Sequence, residues 1–250
     1  MNIGHRTKGF MPNGAVPYQP LPRSWGPASL LVIGLLSSCA IPITRMQVPR
    51  TVPPGRAQGA VGLALSQPAD PTLTTDLAFR VGVLDRVDFG MRFRPQAFEL
   101  GPKIELVRDA VEVSIAPAVL AGKEEPDPVF TEYQTASNTV SILAARASVY
   151  VGSNVDHRFA VFVAPTVDAG RRTFSADEKP HTAALLAPGV LSGMLFSPQQ
   201  SVHLLLELGL LFPTGGAGQV GDGAFKEQLL FGPGDTRMEI TVALVFGSFE

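Results

Sequence analysis

The sequence predicts an all-β fold, an antiparallel up-and-down β-barrel of about ten strands, and three observations carry that expectation. From residue 57 onward, apolar side chains recur at every second position, the period of a strand with two unlike faces. Short connections alternate with longer ones along the chain, as successive hairpins do when one rim is built from tight turns. No uninterrupted apolar stretch reaches 18 residues, although 45% of the 250 residues are apolar and mean hydropathy is +0.20. The chain therefore offers no candidate for a helical membrane span.

The first 38 residues stand apart. Arg23 precedes ASLLVIGLLSSCA (28–40), whose apolar core, bounded by Gly26 and Pro27 on one side and small residues on the other, reads as an export signal too short to anchor. The stretch before Arg23 is long for the basic end of such a signal, which leaves Met11 as an alternative start. Leu36-Ser37-Ser38-Cys39 resembles the lipobox of bacterial lipoproteins. That resemblance implies cleavage before Cys39, a diacylglycerol on its thiol, handling by lipoprotein-sorting machinery and, because Ala40 rather than Asp follows, transfer to the outer membrane. Cys39 is the single cysteine, so no intrachain disulfide can form. Losing residues 1–38 removes Arg6, Lys8 and Arg23 and no acid, which takes the formal charge from −2 to −5. An acidic chain without a basic patch is not a nucleic-acid binder.

AIPITRMQVPRTVPPGR (40–56) is Pro-rich and aperiodic, and residues 39–56 read as an extended tether ahead of a barrel domain at 57–250. Strands are expected at 57–67, 74–83, 87–95, 98–107, 111–121, 139–152, 157–168, 183–196, 202–212 and 236–249. In FRVGVLDRVDFGMRF (79–93), Phe79, Val81, Val83, Val87, Phe89, Met91 and Phe93 share one parity, against Arg80, Gly82, Asp88, Gly90 and Arg92. VEVSIAPAV (111–119) sets Val111, Val113, Ile115 and Val119 against Glu112 and Ser114, and RFAVFVAPTVD (158–168) sets Phe159, Val161, Val163 and Val167 against Arg158, Thr166 and Asp168. VHLLLELGLLF (202–212) opposes its leucines at even positions to His203, Glu207 and Gly209. In RMEITVALVFGSF (237–249), Ile240, Val242, Leu244 and Phe246 oppose Arg237, Glu239 and Thr241. AALLAPGVLSGMLF (183–196) is apolar on both parities and interrupted by Pro188 and Gly189, so its phase stays open. Tight turns carrying Asp, Arg, Asn or Pro fall at 84–86, 108–110, 153–156 and 197–201. Longer links fall at 68–73, 122–138, 169–182 and 213–235, with the short 96–97 as the exception.

This rhythm, and the hairpin at 79–93 in particular, resembles small outer-membrane β-barrels, with short periplasmic turns and longer external loops. The resemblance implies membrane lipid around the apolar parity, insertion by barrel-insertion machinery, and a structural or small-solute-passage role without catalysis. Phe246 and Phe249 resemble the aromatic end of a last barrel strand, although Glu250 follows. Ten residues tilted by about 40° rise about 25 Å, the height of the apolar band of such barrels. An even strand count puts both ends of the barrel on the turn side, where a tether from Cys39 in the inner leaflet would deliver the first strand. No cofactor is implied beyond the lipid on Cys39, and no metal.

The polar parity then gathers Arg80, Asp88, Arg92, Arg94, Lys103, Glu105, Glu112, Arg146, Arg158, Glu207, Arg237 and Glu239 inside a narrow barrel. Opposite charges at that density must pair, either as a network filling the lumen or as the lining of a small polar conduit. The alternative is a lipid-anchored, periplasmic, lipocalin-like barrel whose apolar parity points inward around an apolar ligand. After residue 38 the chain has no Trp and only Tyr133 and Tyr150 for aromatic girdles, which keeps that alternative open. Other motifs are weaker. His203 and Glu207 share a strand face but lie about 13 Å apart along it, too far to touch. GAGQVG (216–221) has dinucleotide-loop spacing without the following helix or βαβ setting, and GKEEPDP (122–128) lacks the spaced oxygens of a calcium loop.

Overall fold

Alternation becomes pairing because tight links leave an antiparallel hairpin as the only short route between neighbouring strands. The structure, a computed structural model, describes residues 42–67, 72–124, 140–156, 158–176, 179–212, 217–220, 223–226 and 236–247. The lipobox with Cys39, most of the acidic 122–128 loop and Phe249 lie outside the described residues. Strands β1 (Ala57–Gln67), β2 (Thr72–Leu84), β3 (Val87–Arg94), β4 (Ala97–Arg108), β5 (Val111–Glu124) and β6 (Val140–Asn154) each pair antiparallel with the next. The series continues through β7 (Phe159–Ala176), β8 (Lys179–Gln199) and β9 (Val202–Leu211). β12 (Arg237–Phe246) pairs with both β9 and β1, closing a ring of ten strands. Arg86 and Gln96 sit at φ 65° and 63° in the β2–β3 and β3–β4 turns, the left-handed conformation that suits tight hairpins.

Residues 169–176 and 179–182, expected as a loop, instead continue β7 and β8 as a paired ribbon, from Ala169↔Leu186 to Ala176↔Lys179, with β6 alongside β7 as far as Ser141↔Thr173. Their alternation is lost where the ribbon rises beyond the apolar band and the sequence turns to Gly170, Arg171, Arg172 and Thr173. Within 213–235, β10 (Ala217–Val220) and β11 (Gly223–Lys226) form a small hairpin docked on β8 through Gly218↔Ala183. Within GAGQVG, residues 217–220 are therefore strand, and the next described element is the strand β11.

The ring is inside out relative to a soluble protein. Leu63, Leu77, Phe79, Val119, Leu204 and Leu244 are exposed, whereas Arg80, Asp88, Arg92 and Glu239 are buried. An apolar interior of the lipocalin-like kind is thereby excluded. The undecided strand takes a definite phase, with Leu185, Ala187, Leu191 and Leu195 inward and Leu186, Met194 and Phe196 outward. Along β5 and β7 the outward parity stays uncharged from Val111 to Ala121 and from Phe159 to Ala169, then meets Lys123 and Arg171. Ten residues of tilted strand give that band about 25 Å. Phenylalanines lie near both ends of that band. Phe89, Phe159, Phe196 and Phe246 lie toward the turn rim and Phe93, Phe98 and Phe212 toward the loop rim, with the Phe93 and Phe98 rings 5.1 Å apart.

Candidate functional site

A barrel this narrow must fill its lumen, and here the chain fills it with itself. Residues 42–52, read from the sequence as part of a free tether, are mostly buried within the ring. Pro42 O accepts a hydrogen bond from Arg146 Nη1 at 2.7 Å, and the Ile43 and Thr44 amides donate to Glu239 Oε1 at 3.3 and 3.1 Å. Three consecutive amides, of Arg45, Met46 and Gln47, converge on the Glu207 carboxylate at 3.0, 2.7 and 3.2 Å. Lower down, the Thr51 amide donates to Glu105 at 3.0 Å and the Val52 amide to Asp88 at 2.9 Å. Lys103 Nζ serves the opposite polarity, donating to the carbonyls of Val48 and Arg50 at 2.9 and 2.6 Å.

The physical reason is that a lone extended segment inside a closed sheet has no ladder partner, and each buried amide left unpaired costs about 1–3 kcal/mol. Carboxylates on the wall supply the acceptors. Met46 adopts φ 54°, a left-handed kink within the run of amides that meets Glu207, as in an anion nest. Wall residues make room for the segment. A Cβ on Gly82 would lie 1.9 Å from the Pro53 carbonyl oxygen, so no larger residue fits where the plug bends into β1.

Direction follows from the contacts. From residue 45 to residue 51, the β4 partners step from Glu99 through Lys103 to Glu105. On β5 they step from Ala116 to Glu112, and on β3 from Arg92, opposite Thr44, to Asp88, opposite Val52. Each series runs from the loop rim toward the turn rim. The segment thus descends the lumen and reverses at Gly55, where backbone hydrogen bonds join Gly55 N to Gly82 O and Gly82 N to Arg56 O, each 3.0 Å. The expected tether reaching β1 from the turn side is corrected accordingly: β1 does start at that rim, but its preceding chain comes from above.

Around the plug the charges form connected clusters. Arg94 bridges Asp76 at 2.6 Å and Glu239 at 2.7 Å, and Arg92 also pairs with Asp76. Arg146 joins Asp168 at 2.5 Å to Glu99 at 3.0 Å, and Arg45 of the plug reaches Glu99 at 2.7 Å. Asp88 takes Arg80 and, at 3.4 Å, Lys103; Glu105 takes Arg108 at 2.5 Å. Glu112 meets Arg50 at 3.0 Å. Of the candidate luminal residues, Arg237 lies half-buried at the start of β12, near the loop rim. Arg158 does not belong to the network; it precedes β7 and is exposed at the turn rim. The residues missed are Asp76, Glu99 and Arg172 on the wall, all buried, and Arg45 on the plug; Asp168, placed on the polar parity but not in the candidate network, is buried too.

His203 is held structurally, with Nδ1 2.8 Å from Ser197 Oγ and Nε2 2.9 Å from the Gly247 carbonyl, while Glu207 serves the plug. Beneath the plug, at the turn rim, opens a cavity of about 370 Å³ lined by Pro49, Arg50, Glu112, Asn154, Arg158 and His203 among others. Among the described residues no cluster of His, Cys, Asp and Glu is arranged to hold a metal ion.

No family model matches the chain, and no curated protein matches it. Solved structures with a similar outline include a neisserial surface protein A, NspA, at 9% identity and TM-score 0.37, covering 76% of this chain and 95% of that one. Another is the CymD monoaromatic hydrocarbon channel, at 7% identity and TM-score 0.30, covering 79% and 89%. The architecture stands on the strand pairing itself, not on these likenesses.

Glu207→Leu, which strips three amides of their acceptor, is expected to lower stability in detergent micelles by about 1–3 kcal/mol per amide left unpaired. Glu207→Gln keeps an acceptor oxygen and is expected to lose less. Urea midpoints of the two variants check that order.

Proposed function

We propose that the protein is an outer-membrane lipoprotein whose mature part is an integral β-barrel, with a structural, non-catalytic role in its closed form. The observation that carries this reading is the inversion of the ring. Exposed Leu, Val and Phe form an unbroken belt, and the charges are enclosed. In water that belt would be an aggregation surface far larger than the few hundred Å² a soluble monomer tolerates; in a bilayer it is the required lipid face. The phenylalanines at both rims suit interfacial depth. Export and the acyl lipid rest on the signal-like core and the lipobox at Cys39, as does engagement of the sorting and barrel-insertion machinery.

A second reading, passage of small polar solutes, is supported by the charged wall behind the plug. Asp88, Glu105, Glu207 and Glu239 hold the segment by its backbone, and its departure would leave a polar channel. In the closed form residues 42–52 occupy the route.

Purified mature protein carrying Cys39→Ser is expected to require detergent or bilayer, because the substitution removes the lipid but not the belt. A monodisperse monomer in plain buffer would contradict membrane insertion. Deleting residues 42–52 is expected to give stepwise conductance in planar bilayers where the intact chain gives none. Silence in both would leave the structural role and remove the passage reading.

A further inference from the structure

We infer that the chain preceding Pro42 leaves the barrel through the loop-side mouth, so that the mature N-terminus and any lipid on Cys39 lie on the face opposite the tight turns. The inference rests on the membrane reading above for its biological meaning, and on the path of residues 42–56 for its geometry. Three observations carry it.

The first is polarity. With increasing residue number the plug moves from Glu239 and Glu99, in the loop-side half, to Glu105 and Asp88 beside the tight turns. Traced backward from residue 52 to residue 42, the chain rises toward the loops. The second is height. Ile43 packs against Gly209, where a Cβ would stand 2.6 Å from Ile43 Cγ2, and β9 ends two residues later at Leu211. Two residues of tilted strand raise the wall by only about 5 Å. Four residues of extended chain, from Ile43 back to Cys39, span about 13 Å. Among the described residues, the wall on the β9–β12–β1 side therefore rises less than that length of chain can span. The third is obstruction. Below Pro42 the lumen is filled by the plug itself and by the Arg146, Glu99 and Arg45 cluster, which closes the way back to the turn side.

Two consequences follow. An acyl chain on Cys39 would enter the leaflet that borders the loops, not the leaflet that borders the turns. The plug also reaches its final contacts only once β12 is in place, because the Ile43 and Thr44 amides meet Glu239, 196 and 195 residues later in sequence.

Single substitutions Ile41→Cys, Asp109→Cys and Asp127→Cys, made in the full chain, place thiols before the plug, in the β4–β5 turn and in the β5–β6 connection. Whole cells are treated with a membrane-impermeant maleimide before and after the outer membrane is opened, with the unsubstituted chain reporting any unmodified Cys39 thiol. The inference expects Ile41→Cys to label together with Asp127→Cys and separately from Asp109→Cys. Labelling together with Asp109→Cys would overturn it, and so would Ile41→Cys that reacts only after unfolding. Recovery of the protein in the soluble periplasmic fraction, with all three thiols reacting alike once the outer membrane is opened, would instead sink the membrane reading. A reactive Cys39 in the unsubstituted chain would sink the lipid alone.

Discussion

Seven backbone amides without a strand to pair with, those of residues 43–47, 51 and 52, set the terms for the rest of the molecule. A strand in the wall exchanges its amides with neighbours, but a segment inside the ring is out of reach of the ladder. Its hydrogen-bonding groups need side chains, and carboxylates are the side chains best suited to amides. Once Glu239, Glu105 and Asp88 are enclosed for that purpose, they need counter-charges, and Arg80, Arg92, Arg94, Lys103 and Arg108 follow. The luminal network is thus the complement of the plug as much as a filling for the barrel.

The same requirement explains the division of labour across each strand. An interior committed to charge leaves the apolar parity with nowhere to go but outward, and on the proposed reading a bilayer is the solvent that accepts it. Buried ion pairs contribute little net stability against a well-packed apolar core, but losing one partner of such a pair costs about 3–5 kcal/mol. Such a wall is intolerant of partial disruption, which favours one register and one position of the plug over slipped alternatives.

How much of this was legible in the sequence varies with the physics involved. Phe79, Val81, Phe89 and Phe93 announced their common face because a strand's period of two is written directly in residue order. Asp76 was hidden by its neighbours Thr74 and Thr75, which blur the alternation at the start of β2, and Glu99 by the uneven run Leu100-Gly101-Pro102. Arg172 fell in a stretch beyond the apolar band, where both faces are polar enough to look like a loop. The phase of β8 could not be read because Leu185, Leu191 and Leu195 belong to apolar patches that share the lumen with the charged clusters. The plug left almost no mark, since recognition through backbone amides places no demand on side-chain pattern. The signal that could have revealed it is the run of small inward residues, Gly82 and Gly209 among them, which are needed only if something passes close to the wall.

Threading is tested most directly by a covalent link between plug and wall. A Cβ on residue 209 would stand 3.3 Å from the Cβ of residue 43, close to disulfide range. In a Cys39→Ser background, Ile43→Cys with Gly209→Cys leaves those two thiols as the only cysteines. Mild oxidation of the folded protein is expected to join them, so that tryptic fragments containing residues 43 and 209 remain linked until reduced. Two thiols that stay fully titratable in a protein with intact β structure would show that the segment lies elsewhere.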